Sequence, residues 1–235
     1  MNDEDYAVVE PEETEMTFAA KIAGIFLDPE RTFISLDKKP DFYVPLVILA
    51  VFATVFTYFA MPVISQFHMD EMIKRTAESD ISPEQLQRIA DAGRTFGLIS
   101  PPIFVFIGAL IISGLLLFAG NIIIGGNQKF VKVLSIYSYT ALIGVIAYAV
   151  KLPLILSKNT LEVYTSPALF FPASAKDTMA FKIAALLDLF TIWQIIVISI
   201  GMAVIYKITF QKSASVIGTM FVIYAAVAII FGSRY

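Results

Sequence analysis

The chain has 235 residues, of which 57% are hydrophobic and 16% charged, with a net charge of -3. A soluble domain of this size carries about a quarter charged residues, and the apolar residues here cluster in blocks of the roughly 20 residues that a bilayer-spanning helix needs. The composition therefore excludes a soluble globular domain. With no cysteine, disulfides, thiolate nucleophiles and cysteine metal sites are excluded as well. No arginine- or lysine-rich block points to nucleic acid.

Residues 1–15, MNDEDYAVVEPEETE, are acidic and poor in large apolar side chains, which predicts a disordered tail. The basic start and apolar core of a secretory signal are missing from it. Residues 16–41 follow as an amphipathic segment. Phe18, Ile22, Ile25 and Phe26 share one helical face, Pro29 breaks that helix, and Asp28 is placed to cap a second turn carrying Phe33 and Leu36. Lys21, Arg31, Lys38 and Lys39 flank the apolar face. The pattern predicts a helix lying on the membrane surface with these six apolar residues in the interface.

Residues 42–235 hold five apolar blocks, with predicted spans at about 43–67, 101–124, 133–156, 183–206 and 213–233. Lipid cannot satisfy free backbone polar groups, and the runs are continuous rather than alternating, so the blocks are helices and not barrel strands. The fold class is all-α, a polytopic bundle of five transmembrane helices. Pro62 is placed to kink the first span. Pro101-Pro102 is read as the start of the second. Before it, Ser82-Pro83-Glu84-Gln85 carries the signature of a capping box, read as a short surface helix. Ala168-Leu169-Phe170-Phe171, in the loop between spans three and four, is a candidate interfacial patch.

Five spans put the termini on opposite sides. Eight of the 17 basic residues then fall on the N-terminal side and nine on the other, so the count alone decides nothing. The two shortest loops, however, hold Lys129, Lys132, Lys207 and Lys212, and the positive-inside bias is carried by short loops near span ends. The expected orientation has the N-terminus cytosolic and the C-terminus external.

Three stretches, in this order and spacing, resemble one family. They are IFLDPERTFISLDKKPDFYVPL (Ile25 to Leu46), GGNQKFVKVLSIYSYTALIGVI (Gly125 to Ile146) and LLDLFTIWQIIVISIGMAVIYKIT (Leu186 to Thr209). The chain is similar to prokaryotic members of the Yip (Ypt/Rab-interacting) family of five-span membrane proteins. The resemblance implies a five-span fold and a cytosolic N-terminus in a prokaryotic cytoplasmic (inner) membrane. Eukaryotic members bind prenylated Rab-type GTPases. That partner is not carried over, because prokaryotes lack that GTPase system.

Asp188 is the sharpest candidate for chemistry, because an ionisable residue within a span marks a functional hypothesis by default. Counted from Ile183 it lies roughly 8 Å into the fourth helix, where the helix dipole favours a carboxylate. Lys151 falls at a similar depth in the third span, so a structural intramembrane pair Lys151–Asp188 is expected, with Lys182 as another partner. Asn121, Thr191 and Gln194 are read as polar helix contacts. His68, the sole histidine, is a poor basis for a metal site. No P-loop, H-E-x-x-H or G-x-S-x-G is present. The reading is a non-enzymatic membrane scaffold without cofactor, acting on membrane lipids, on other membrane proteins or on itself as a homo-oligomer. The alternative is a small transporter, channel or permease subunit that uses the Asp188 region.

Overall fold

The computed structural model describes residues 16–76 and 82–231. The predicted tail over 1–15 lies outside them, as do residues 232–233 at the end of the fifth predicted span. All regular structure among the described residues is helical. The helices are α1 (Phe18–Leu27), α2 (Pro29–Lys38), α3 (Tyr43–Thr76), α4 (Pro83–Phe118), α5 (Phe130–Thr140), α6 (Ile143–Lys158), α7 (Met179–Leu186), α8 (Leu189–Tyr206) and α9 (Phe210–Phe231). A π-helical turn, Ala119–Ile123, extends α4. Five segments are long and apolar enough to cross a membrane: Tyr43–Asp70, Glu84–Ile123, Phe130–Lys158, Leu189–Tyr206 and Phe210–Phe231.

The segment ahead of the first span folds as its local signals dictate. Asp28 ends α1 and caps α2, its side chain accepting from the Arg31 amide at 3.2 Å, with Pro29 in the first turn of α2. Its placement differs from the expectation of a helix lying free in the interface. Ile25, Phe33 and Leu36 are buried in the main core, and Phe18, Ile22 and Phe26 pack against that core. Phe18 meets Tyr139, and Phe26 meets the edge of Trp193. Lys21, expected to flank the apolar face, is buried too. The physical reason lies in α8. At Gly201 an added Cβ would sit 2.5 Å from Ile136 and 3.1 Å from Phe33, so only glycine lets α2 and α5 close on α8 from two directions. The apolar face that the sequence leaves without a protein partner thus finds one in the bundle.

Two spans exceed their predicted bounds. α3 runs on past residue 67 to Thr76, and α4 begins at Pro83 rather than at Pro101-Pro102. The Ser82–Gln85 capping box is present, with Ser82 accepting from the Gln85 amide and the Gln85 side chain accepting from the Ser82 amide. It starts the same helix that becomes the span. Proline's φ is itself helical; what it removes here are the hydrogen bonds to the carbonyls of Gly97 and Leu98 and some clearance from the preceding turn. Packing along α3, where Met61 lies against Gly97, carries the helix through. Pro62 likewise lies inside uninterrupted α3. The side chain of Asn159, just past α6, donates to Gln66 of α3 at 3.1 Å. That contact marks a common level, beyond which α3 continues for ten residues, about 15 Å.

Two spans are broken. The third divides at Ala141-Leu142, where the amides of Leu142, Gly144 and Val145 bond three residues back instead of four. Ser135 and Ser138 donate their hydroxyls to the carbonyls of Val131 and Ser135, a back-bonding that weakens and bends helices. The predicted fourth span, 183–206, resolves into α7 and α8 with Leu187-Asp188 between them. α8 occupies the middle of the bundle, packed against α2, α5, α6 and α9. α3 and α4 form the most extensive pair.

Phe33→Ala is expected to lower stability in detergent by about 3–5 kcal/mol, the usual range for deleting a core phenylalanine. Ile34→Ala, next to it on the exposed side, should change it by no more than about 0.5 kcal/mol. Thermal unfolding followed by size-exclusion chromatography distinguishes these outcomes. Equal small effects would return α1 and α2 to the free interface.

Candidate functional site

Asp188 is the N-cap of α8 and not a residue one and a half turns inside a helix. Leu187 leaves the helical region at ψ 46° and Asp188 is extended, so the chain turns and starts a new helix on the aspartate side chain. One carboxylate oxygen accepts from the amides of Phe190 at 3.0 Å and Thr191 at 3.3 Å. The other accepts from the Lys151 ammonium at 3.0 Å and from the Thr165 hydroxyl. Four donors match the roughly four lone-pair sites of a carboxylate. The Lys151 and Asp188 side chains are 28% and 14% exposed, so the pair is partly shielded and not sealed. The Leu189 amide donates to the Thr165 carbonyl at 3.1 Å, which ties the preceding loop to the same point. Sequence reasoning missed Thr165, because it lies in a loop with no periodicity to place it.

Thr191 enters this cluster through its backbone amide. Gln194, one turn further on, has its amide 3.7 Å from where a Cβ on Gly144 would stand, against α6. In the loop beyond, Lys176 pairs with Glu162, and that hydrogen bond holds the Lys176 ammonium above the ordinary lysine range.

A second polar cluster closes the opposite end of the bundle around Asn121. Its amide donates to the Gln128 carbonyl at 3.1 Å and its oxygen accepts from the Gln128 amide at 2.9 Å. The same oxygen accepts from the Tyr206 hydroxyl at 2.8 Å. The Gln128 side chain donates to the Ile205 carbonyl at 2.6 Å, one of the terminal carbonyls of α8 that the helix itself leaves open. Gly120 and Gly126 hold the Tyr206 ring between them, since a Cβ on either would lie 2.0 to 2.2 Å from ring atoms. Asn121 thus joins the second span to the turn that follows it and to the end of the fourth span, with the π turn aiming its amide. Gln128 and Tyr206 were not singled out from the sequence. Their signal was the Gly-Gly-Asn-Gln turn placed seven residues from an isolated asparagine.

A third set of contacts fastens α2 and the start of α3 to α5. Lys132 pairs with Asp37, and the buried Tyr139 donates to Asp41 at 3.0 Å. His68 is exposed, with its ring against Phe67. No grouping of His, Cys, Asp or Glu suited to a metal ion occurs among the described residues.

Five apolar segments of membrane length among the described residues, with polar clusters tying α6 and α4 to opposite ends of α8, define a multi-pass α-helical membrane protein. The Yip1 domain family matches residues 23–232 of the chain, and the protein belongs to that family. No curated protein and no solved structure gives a significant match.

Two predictions test the clusters. Lys151→Ala and Asp188→Ala should each destabilise the detergent-solubilised protein, and the double mutant should lose less than the sum, with a coupling of about 0.5–3 kcal/mol. Additive losses would show that the pair contributes nothing of its own. Gly120→Ala should cost about 1–3 kcal/mol by overpacking against Tyr206. In a Tyr206→Ala background the same substitution should cost much less, as read from melting temperatures of the four proteins.

Proposed function

We propose that this Yip1-family protein is a non-enzymatic integral membrane scaffold that acts on lipids or on partner membrane proteins, itself included. It resides in a prokaryotic cytoplasmic membrane with its N-terminus cytosolic and its C-terminus external. The single observation that carries the reading is the saturation of Asp188. A group that relays protons or ions needs a free position for its cargo, whereas all of the roughly four acceptor positions of this carboxylate face donors that hold helices and loop in place. Among the described residues Asn121 likewise bonds to the turn and to Tyr206. The orientation is supported by the lysines of the two short loops, Lys129, Lys132, Lys207 and Lys212, through the positive-inside bias.

The competing reading, a small transporter, channel or permease subunit, has one observation in its favour. The third span breaks in mid-course at Ala141-Leu142, and the adjacent Thr140 hydroxyl and that of Ser113 in α4 are buried without a hydrogen-bond partner among the described residues. Discontinuous helices near the membrane midplane are a common setting for transporter sites.

The absence of cysteine makes both points testable on one background. In intact cells Thr160→Cys is expected to react with a membrane-impermeant maleimide, and Thr209→Cys only after the membrane is opened. The reverse pattern would overturn the orientation. Ile195→Cys and Met202→Cys, along α8, are expected to stay unreactive from both sides. A labelled stripe there would replace the scaffold with a water path.

A further inference from the structure

The loop between α6 and α8 does not stay outside the bundle. α6 ends at Lys158, level with Gln66 through the Asn159 side chain. Six residues later Thr165 bonds to the Asp188 carboxylate, which also holds Lys151. Lys151 lies seven residues back from Lys158 along α6, about 10 Å at 1.5 Å per residue. The chain therefore leaves the end of α6 and descends about two helical turns toward the N-terminal side before α8 begins. α8 spans 18 residues from Leu189 to Tyr206, about 27 Å. This places Asp188 near the edge of a hydrocarbon core about 30 Å thick.

At that depth sits a small separate core. Ala168, Phe181 and Ala184 are buried together, with Tyr164, Phe171 and Ala185 packed on them. This core presents a second set of apolar side chains on its outer side. In the 3₁₀ turn Pro167–Phe170, Leu169 is 56% and Phe170 86% exposed. Along α7 and its C-cap, Met179, Ile183 and Leu187 are all exposed and recur every four residues on one face. The only charged side chain in α7 is Lys182, long enough to reach a headgroup from below. A helix that is apolar on its packed and its unpacked face alike belongs in an apolar medium. The exposed face also continues without a polar break into Leu189, Ile192 and Ile196, the exposed side of the membrane-length helix α8.

We propose that the 3₁₀ turn Pro167–Phe170 and α7 form a shelf sunk into the leaflet at the Asp188 end of α8, with Leu169, Phe170 and the Met179–Ile183–Leu187 face against lipid acyl chains and the Lys176–Asp177 stretch between them at the headgroups. The Lys151–Asp188–Thr165 cluster sets its depth. The shelf widens the bundle in one leaflet only, which gives the protein an asymmetric lipid-contact cross-section.

Spin labelling of the full chain tests this. Phe170→Cys and Ile183→Cys, both at exposed positions, are labelled with a nitroxide and reconstituted in phosphatidylethanolamine–phosphatidylglycerol vesicles, with Ile192→Cys and Lys158→Cys as lipid and water references. The expected result is a collision rate with oxygen that exceeds that with a water-soluble nickel chelate at both positions, as at Ile192. Preference for the nickel chelate at either position, as at Lys158, would overturn the proposal. So would low accessibility to both reagents. With dipolar broadening that result would assign the face to a second copy of the chain, and without it to cover by the chain itself.

Discussion

Inside a bilayer there is no water to complete a hydrogen bond, so backbone amides and carbonyls below the headgroups must be satisfied by the protein. The Asp188 carboxylate is the point where this constraint shapes the most chain. It supplies the missing acceptor for the first amides of α8, neutralises Lys151 of α6 and accepts from Thr165 of the intervening loop. Without an acceptor at that position the break between α7 and α8 would expose helix-terminal amides at membrane depth. The break, the descent of the loop and the position of α7 therefore follow from one side chain.

The opposite end solves the mirror problem with neutral groups. A helix C-terminus leaves carbonyls open, and here the Gln128 side chain serves Ile205 while Asn121 serves the Gly-Gly turn. The π turn adds one residue to the helical repeat, which swings Asn121 toward Tyr206 and brings Gly120 under the phenol ring. Amides suit this end, because they both donate and accept and carry no desolvation penalty of a full charge. Ionic contacts appear further out, at Asp37–Lys132, where both side chains are about a quarter exposed.

The five spans and the helical class were legible in the sequence, because apolar block length and continuity report directly on what lipid demands. The caps at Asp28 and Ser82 were legible for the same local reason: a side-chain acceptor sits at fixed spacing from the amide it serves. What stayed hidden depends on contacts between distant segments. An apolar helical face looks the same whether it will meet lipid or α8, so Phe33 and Leu36 pointed to the interface until Gly201 and Ile136 were seen beneath them. Pro101-Pro102 reads locally as the start of a helix, and only packing on α3 carries α4 through it from Pro83. Asp188 meets Lys151, yet it was read as lying inside a helix, because Leu186-Leu187 on one side and Leu189-Phe190 on the other give no sign of a break.

Packing is uneven across the bundle, and this bears on how it would act on its surroundings. α8 is gripped on several sides, with Val197, Ile198, Ser199, Gly201, Met202 and Ile205 all buried. α9 follows it after a tight turn at Lys207, a non-glycine residue at φ 52°, yet buries only Ser213 and Ile217 near its start. Burial of apolar area against protein gives no hydrophobic gain in lipid, so a helix so little packed is held mainly by its turn and by the membrane around it. The rigid half of the molecule is then α2, α5 and α8 with the polar clusters at either end. The compliant half is α9 and the outward faces of α3 and α4. The scaffold role proposed above requires surfaces that lipids or partners can reshape without unfolding the centre. Here those surfaces are α9, which buries only Ser213 and Ile217, and the outward faces of α3 and α4.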